Sequence, residues 1–482
     1  MSSTAISARL RIPLLYICLV LLASATLRAV EVSPEARFES VKQAATDQEL
    51  YSFLWEMPKG CDLHNHLQGG GGIATDWIPI ATNPAIVGTK KFYTRVTMTA
   101  GDAPFLLQYR TLQESNYAKL PPAFRADFKE LGQLTEAERK AWEASVIMTT
   151  SEGGRKIFFD DTFFLRLGDL LRDPNITAEM IVHAMLFASA EHVYYIEGMV
   201  GSNYMLDEKG EMVPEDRTIA IFRERLGRPD AVGSKVTIRF ISSVLRFSDY
   251  AEKGIEAAYN TAAKYPDLYV GVNIVGSEQD DRGSPTRFLN VFRKMQRIHP
   301  GVGITLHAGE GIPTNENKHV MECLVLGATR IGHAVNLISD PDTLVLMRTG
   351  KFMIESCMVS NELVEYTPDI SQHPFPIYLR LGIPVCLNTD DRGICDSSMT
   401  DEYFIATKHF NLSWDEMLQM AQTSIKFSFL PESEKARLLN DYQEHIQAFT
   451  AKYLGDDWQA AVKELHPNVT GYARRRLSIA AN

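Results

Sequence analysis

The stretch Ile304-Thr-Leu-His-Ala-Gly-Glu-Gly311 decides how this chain reads. Ile304 to His307 is a short apolar run of strand character. The chain then turns at Ala308-Gly309 and presents Glu310. An imidazole and a carboxyl group this close together at a strand end suit a metal-assisted hydrolase, where one holds an ion and the other moves protons beside it. A histidine in an apolar strand is as readily a satisfied core residue. What flanks the stretch decides between the two readings.

Seven other segments have the same strand character. They are 61–64, 193–197, 236–245, 268–275, 329–333, 352–357 and 384–389, and the eighth, 303–307, contains the Ile304–His307 run of the opening stretch. Segments long enough for one helix separate most of them: 248–264, 287–298, 317–326, 341–349 and 374–381. Apolar strands alternating with amphipathic helices imply a parallel sheet covered on both faces. Eight such units predict an α/β fold, a (β/α)8 TIM barrel, with a long insertion (residues 68–190) after the first strand.

In that barrel the unusual polar residues fall at the C-terminal strand ends, where barrel enzymes carry their sites. His64 and His66, on one side of the first strand by alternation, end it. Gly276 follows the fourth, His307 ends the fifth, His333 ends the sixth, and Asp390-Asp391 follow the eighth. His64, His66, His307 and Asp390 are the expected metal ligands. Three imidazoles and a carboxylate suit one Zn2+ ion with a water completing the shell. Gly69 to Gly72 read as a flexible loop. His183, His192, His299, His319, His373, His409, His445 and His466 lie in predicted helices or loops, and surface or locally bonded positions are expected for them.

Composition bounds the rest. The 482 residues are 45% hydrophobic and 23% charged, ordinary for a large globular core, and the net charge of −11 comes without any Lys/Arg stripe, so no nucleic-acid partner is expected. Arg9 and Arg11, the apolar run Ile12 to Leu22 and the small residues after it describe a secretory signal over 1–29. A secreted or periplasmic protein with no lasting membrane anchor follows. Residues 30–55 read as a helical extension and 56–482 as the barrel unit. Of six cysteines, five remain after Cys18 is removed with the signal; an odd, sparse set is no disulfide scaffold, although Cys323 and Cys395 could pair.

The motifs together resemble the adenosine/AMP deaminase branch of the amidohydrolase superfamily, and within it the secreted adenosine deaminase-related growth factor group. They are Met57-Pro-Lys with His64-Asn-His66, Asn273-Ile-Val-Gly-Ser-Glu278, His307-Ala-Gly-Glu310, Arg330-Ile-Gly-His333, Ser360-Asn361 and Asn388-Thr-Asp-Asp391. Leu412-Ser-Trp-Asp-Glu416 and Lys426-Phe-Ser-Phe-Leu430 also fit, and the likeness covers about residues 55–445. It implies zinc-dependent deamination of adenosine or deoxyadenosine. His64, His66, His307 and Asp390 would bind zinc, and Glu310 would protonate purine N1. His333 would orient the zinc-bound water and take its proton, Asp391 would hydrogen-bond N7, and the Gly276 N–H would reach N3. Members of that group are often dimeric, so a homodimer is compatible with the likeness.

Two residues depart from the family pattern. Gln68 stands where adenosine deaminases usually carry an Asp that touches the ribose, and Met199 where the family often has Arg. Both leave the sugar part of the substrate open, so another 6-aminopurine derivative is an alternative. Another zinc amidohydrolase acting on an amide or ester is a second. Its two-metal members carry a bridging Lys or Glu at the end of the fourth strand, where this chain has Val275-Gly276. A secreted non-catalytic binding protein is a third, and it would be expected to have lost a ligand, the acid or the base.

Overall fold

The computed structural model describes residues 32–481 apart from 104, 151–152, 160–161 and 279–280. The expected export signal (1–29) lies outside the described residues. No helix among the described residues is long and apolar enough to cross a membrane.

Eleven strands follow one another along the chain: β1 (Gly60–Asn65), β2 (Phe92–Arg95), β3 (Thr111–Gln113), β4 (Phe128–Glu130), β5 (Val193–Met199), β6 (Thr237–Leu245), β7 (Tyr269–Val275), β8 (Gly303–Ala308), β9 (Arg330–His333), β10 (Met353–Ser356) and β11 (Val385–Leu387). Eight of them pair in parallel in the order β1-β5-β6-β7-β8-β9-β10-β11. These are the eight strands expected from the sequence, within one or two residues at each end. Their apolar composition follows from burial on both faces: Leu63, Tyr195, Phe240, Ile274, Leu306, Ile331 and Ile354 are all fully buried. The sheet closes on itself beyond β11, where Asn65 bridges Asp390 in parallel. His66 N–H donates to the Asp390 carbonyl at 3.0 Å and Asp390 N–H to the His64 carbonyl at 2.9 Å. The closing seam therefore runs through the expected metal ligands.

Register places β8 and β9 side by side so that His307 lies opposite Gly332 and Ala308 opposite His333. Gly332 is required there, because a Cβ at that position would stand 2.4 Å from His64 Cε1.

The segment between β1 and β5 has its own architecture. β2, β3 and β4 form a small antiparallel sheet in the order β3-β2-β4. No strands were expected in this segment. They are three or four residues long, too short for a period-two pattern to show. A separate cluster around Trp77, Ile78, Ile80, Phe92, Leu131 and Trp142 forms the segment's core. Helix Pro174–Ala190 joins the two cores. Ile176 and Met180 pack into the insertion, and Ile181, Val182 and Met185 into the barrel. Gly69–Gly72 is buried and tightly packed, which corrects the expected flexible loop. Its glycines serve close approach: the Asp391 carboxylate occupies the space a Gly70 Cβ would need, with Oδ1 1.5 Å from that point. Cys61, Cys323, Cys357, Cys386 and Cys395 are all buried free thiols, so Cys323 and Cys395 are unpaired with each other.

Candidate active site

The strand ends bring His64, His66, His307 and Asp390 together. The Nε2 atoms of His64 and His66 lie 3.1 and 3.3 Å from His307 Nε2. Asp390 Oδ1 is 3.5 Å from His64 Nε2 and 3.2 Å from His66 Nε2. Two of the imidazoles have their tautomer set from behind. Glu355 Oε2 accepts from His64 Nδ1 at 2.7 Å, and Asn273 Oδ1 accepts from both the N–H and the Nδ1–H of His307 at 3.2 and 3.1 Å. With Nδ1 protonated, each presents a bare Nε2 lone pair inward. Asp390 Oδ1 is buried with no hydrogen-bond partner, while Oδ2 accepts from Ser360 Oγ at 2.6 Å. Lone pairs converging in a buried pocket repel one another unless a cation sits between them. A tetrahedral ion with bonds of about 2.0–2.1 Å has donor–donor edges of about 3.3 Å, and the four residues fit it.

Glu355 is fixed in turn by Arg330 Nε at 2.7 Å and Thr305 Oγ1 at 2.9 Å, and Arg330 also reaches Glu197 at 2.7 Å. These charges lie inside the barrel with no exposure. A buried ionic network of this kind holds ligand geometry more than it adds net stability.

Glu310 follows β8, and its backbone N–H donates to Glu278 Oε1 at 3.1 Å. Burial pushes its carboxyl well above the usual range, and the charges of Asp390 and Glu278 add to the effect. It is held as the neutral acid, able to give a proton. Its Oε1 stands 3.7 Å from His333 Nε2. His333 ends β9 in a left-handed conformation, φ +69°, and its Nε2 is buried without a partner. Asp390 also sits at positive φ, +52°, which turns its carboxylate back toward the histidines. Asp391 is buried too, with its carboxyl pushed above the ordinary range mainly by burial. Gly276, after β7, takes φ +101°.

Several of these groups border one cavity of about 800 Å3. His66, His307, Glu310, Asp390 and Asp391 line one end, and Gly276 and Ser277 one flank. Leu245, Phe247 and Val275 from the barrel, with Phe158, Phe159 and Phe164 from the insertion, make the rest an apolar wall. Arg282 is the one basic residue among the lining residues. Gln68, the first departure from the family pattern, does not line the cavity. Its Oε1 accepts from Gly201 N–H at 2.7 Å and from Tyr204 OH at 2.5 Å, and its Nε2 donates to the Leu171 carbonyl at 2.7 Å. Met199, the second, is buried at the end of β5.

Several residues behind the site escaped sequence reading. Glu355 and Asn273 each sit inside an apolar strand, where an unpaired polar group is costly, and that cost was the available signal. His373, expected on the surface or in a local bond, is locally bonded to Phe375 N–H and Asn361 and is buried, 2% exposed. His319 holds Glu278 at 2.8 Å. His183 pairs with Asp76 and His299 with Asn260, as locally bonded residues do. Lys59 of the Met57-Pro-Lys motif is structural: its Nζ donates to the carbonyls of Trp55, Met57 and Glu191.

Comparison with known proteins meets this geometry. The family model described as Adenosine deaminase matches residues 140–445. An adenosine deaminase of Enterococcus faecalis is 29% identical over 263 residues, 54% of this chain and 74% of that one. Adenosine deaminase 2-A of Danio rerio is 22% identical over 467 residues, 90% of this chain and 86% of its own length. Among solved structures, an amidohydrolase from Burkholderia ambifaria with bound Zn superposes with a TM-score of 0.59 at 17% identity, covering 88% of this chain and 98% of that one. At that identity the likeness speaks for the fold.

Proposed function

Because this chain belongs to the adenosine deaminase family of hydrolases, we propose that it removes the 6-amino group of a purine nucleoside, adenosine or deoxyadenosine, by hydrolysis with one zinc ion per chain. The single observation that carries this reading is the ring of His64, His66, His307 and Asp390 set beside a carboxyl group, Glu310, that burial keeps protonated.

A zinc ion on those four residues would lower the pKa of a bound water toward about 7 and so supply hydroxide at neutral pH. The chain's own groups would do the rest. Glu310 gives its proton to purine N1, which makes C6 electrophilic. Asp391, protonated, donates to N7, and the Gly276 N–H meets N3. His333 faces the attacking oxygen through Nε2. Hydroxide adds to C6 and its remaining proton passes to the amino nitrogen, so the C6–N bond breaks, ammonia leaves and the oxygen stays on C6 as a carbonyl. The proton lost when water became hydroxide returns Glu310 to its acid form.

The lining supports a nucleoside over a nucleotide. A phosphate needs a cluster of basic groups, and the cavity wall beyond the catalytic end is phenylalanine, leucine and valine with Arg282 alone. The spent amide of Gln68 supports a sugar held by shape rather than by that residue. Export from the cytoplasm belongs to the same proposal and rests on the signal pattern of the first 29 residues.

The test is a screen of purified protein against adenosine, deoxyadenosine, AMP and adenine, reading ammonia release, with metal counted on the same sample and oligomeric state read from elution volume. Release from the two nucleosides with one ion per chain is expected. No release from any of the four by metal-loaded protein would end the reading, and two ions per chain would favour a two-metal amidohydrolase.

A further inference from the structure

A chain of three hydrogen bonds runs from the wall of the barrel to His333. It starts at a backbone group. Pro374 carries no N–H, so the first free donor of the short helix Phe375–Arg380 is Phe375 N–H, one of the groups a helix leaves unmade at its start. It donates to His373 Nδ1 at 3.3 Å. A backbone N–H can only donate, so His373 Nδ1 can only accept and the ring proton sits on Nε2. Burial keeps this imidazole neutral, its pKa pushed down to about 3. His373 Nε2 lies 3.1 Å from Asn361 Oδ1, and there it must donate. That assigns the amide oxygen of Asn361 to the His373 side and its NH2 to the other. Asn361 Nδ2 then donates to His333 Nδ1 at 3.1 Å. All three side chains are buried, so water cannot reverse the order.

We infer that His373 is a positioning residue which, through Asn361, fixes His333 as the Nε2–H tautomer, so that His333 meets the attacking oxygen as a hydrogen-bond donor. Its Nε2 has no hydrogen-bond partner among the described residues and lies 3.7 Å from Glu310 and 4.0 Å from Asp390. Taking a proton from water would need a lone pair on Nε2 and a proton on Nδ1, where it would face the Asn361 NH2. The family likeness implied the base; the polarity of this chain points to the donor. Only the kinetic arm of the test rests on the deaminase reading.

Histidine-15N-labelled enzyme with its metal bound is examined by two-bond proton–nitrogen correlation, His333 being assigned by its loss in His333→Gln. A protonated Nε2 and a bare Nδ1 are expected in the unaltered protein. His373→Glu places an acceptor against Asn361, turns its amide and moves the His333 proton to Nδ1. Turnover should then fall on the order of 100-fold, as when one preorganised donor is lost, with KM within a few-fold. His373→Gln, which keeps an N–H donor at the same place, should retain the tautomer and recover most of the turnover. A bare Nε2 in the unaltered enzyme overturns the assignment, whether or not the Glu variant folds. So does a tautomer reversal in His373→Glu that leaves turnover unchanged.

Discussion

The barrel and its insertion meet in one cavity and bring opposite chemistry to it. Every titratable group that borders the cavity at its closed end comes from a barrel strand end. Among the described residues, the insertion brings Phe158, Phe159 and Phe164 and no such group to the same wall. The barrel side is braced: Glu355, Asn273, Ser360 and Asn361 each hold a ligand or catalytic group by a hydrogen bond. The described residues of the insertion side make apolar contact. On the proposed function, reaction chemistry and substrate fit fall to different stretches of chain, and each should be alterable with the other left in place.

The largest expected effect tests the barrel side. Glu310→Gln removes the transferable proton and keeps the shape, and turnover should fall by about 100- to 10,000-fold with metal content unchanged. A fall under tenfold would take the acid role away from Glu310. In the unaltered enzyme the acid form is the active one, and its pKa is raised. Activity should therefore fall as pH rises through that raised pKa, a limb that is absent from any residual activity of the Gln variant.

Next in size is a change behind a ligand. Asn273→Ala frees His307 Nδ1, and metal affinity should weaken about 10- to 100-fold by competition with a chelator. Unaltered affinity would mean that the brace is dispensable and that the contrast with the insertion side is overstated.

Gln68→Leu cuts the tie between insertion and barrel. The half-buried Gly201 N–H loses its acceptor, and such a donor left unmade costs on the order of 1 kcal/mol. Denaturant unfolding should register that loss while the order of preference among substrates stays fixed. A changed preference would make Gln68 part of substrate recognition after all.

The smallest effect is on the insertion side. Phe159 is half-buried, so Phe159→Ala should remove about 1 kcal/mol of apolar contact and raise KM about fivefold, with kcat nearly constant. A fall in kcat instead would show the insertion acting on the reacting atoms.

The division also governs what could be read in the sequence. The eight barrel strands were legible because each is an apolar run flanked by a helix-length segment, and a parallel sheet demands that pattern. The cluster of His64, His66, His307 and Asp390 was legible because the fold puts strand ends in one place. Strands β2, β3 and β4 were not, since Phe92–Arg95, Thr111–Gln113 and Phe128–Glu130 are held by tertiary contact rather than by periodicity. Arg95 is an example: it is fully buried and paired with Asp127 across the loops. Gly69–Gly72 looked flexible because glycine permits both freedom and close approach, and sequence does not separate the two. The Thr46-Asp-Gln-Glu49 capping box, which divides the N-terminal region into helices Pro34–Ala44 and Asp47–Glu56, was there to be read as a helix start. His373 was hidden for another reason. Its role lies in the direction of a hydrogen-bond chain, which no spacing encodes.

The seam between Asn65 and Asp390 has a consequence for biogenesis. The four-residue ring draws on positions 64 and 390, 326 residues apart by subtraction, so it exists only after nearly the whole barrel has been synthesised and its last strand has docked against its first. A growing chain or a truncated fragment carries at most the three imidazoles. Binding of the proposed ion to its full set of ligands is therefore a late event in maturation, and a full complement of metal would mark a molecule whose barrel has closed.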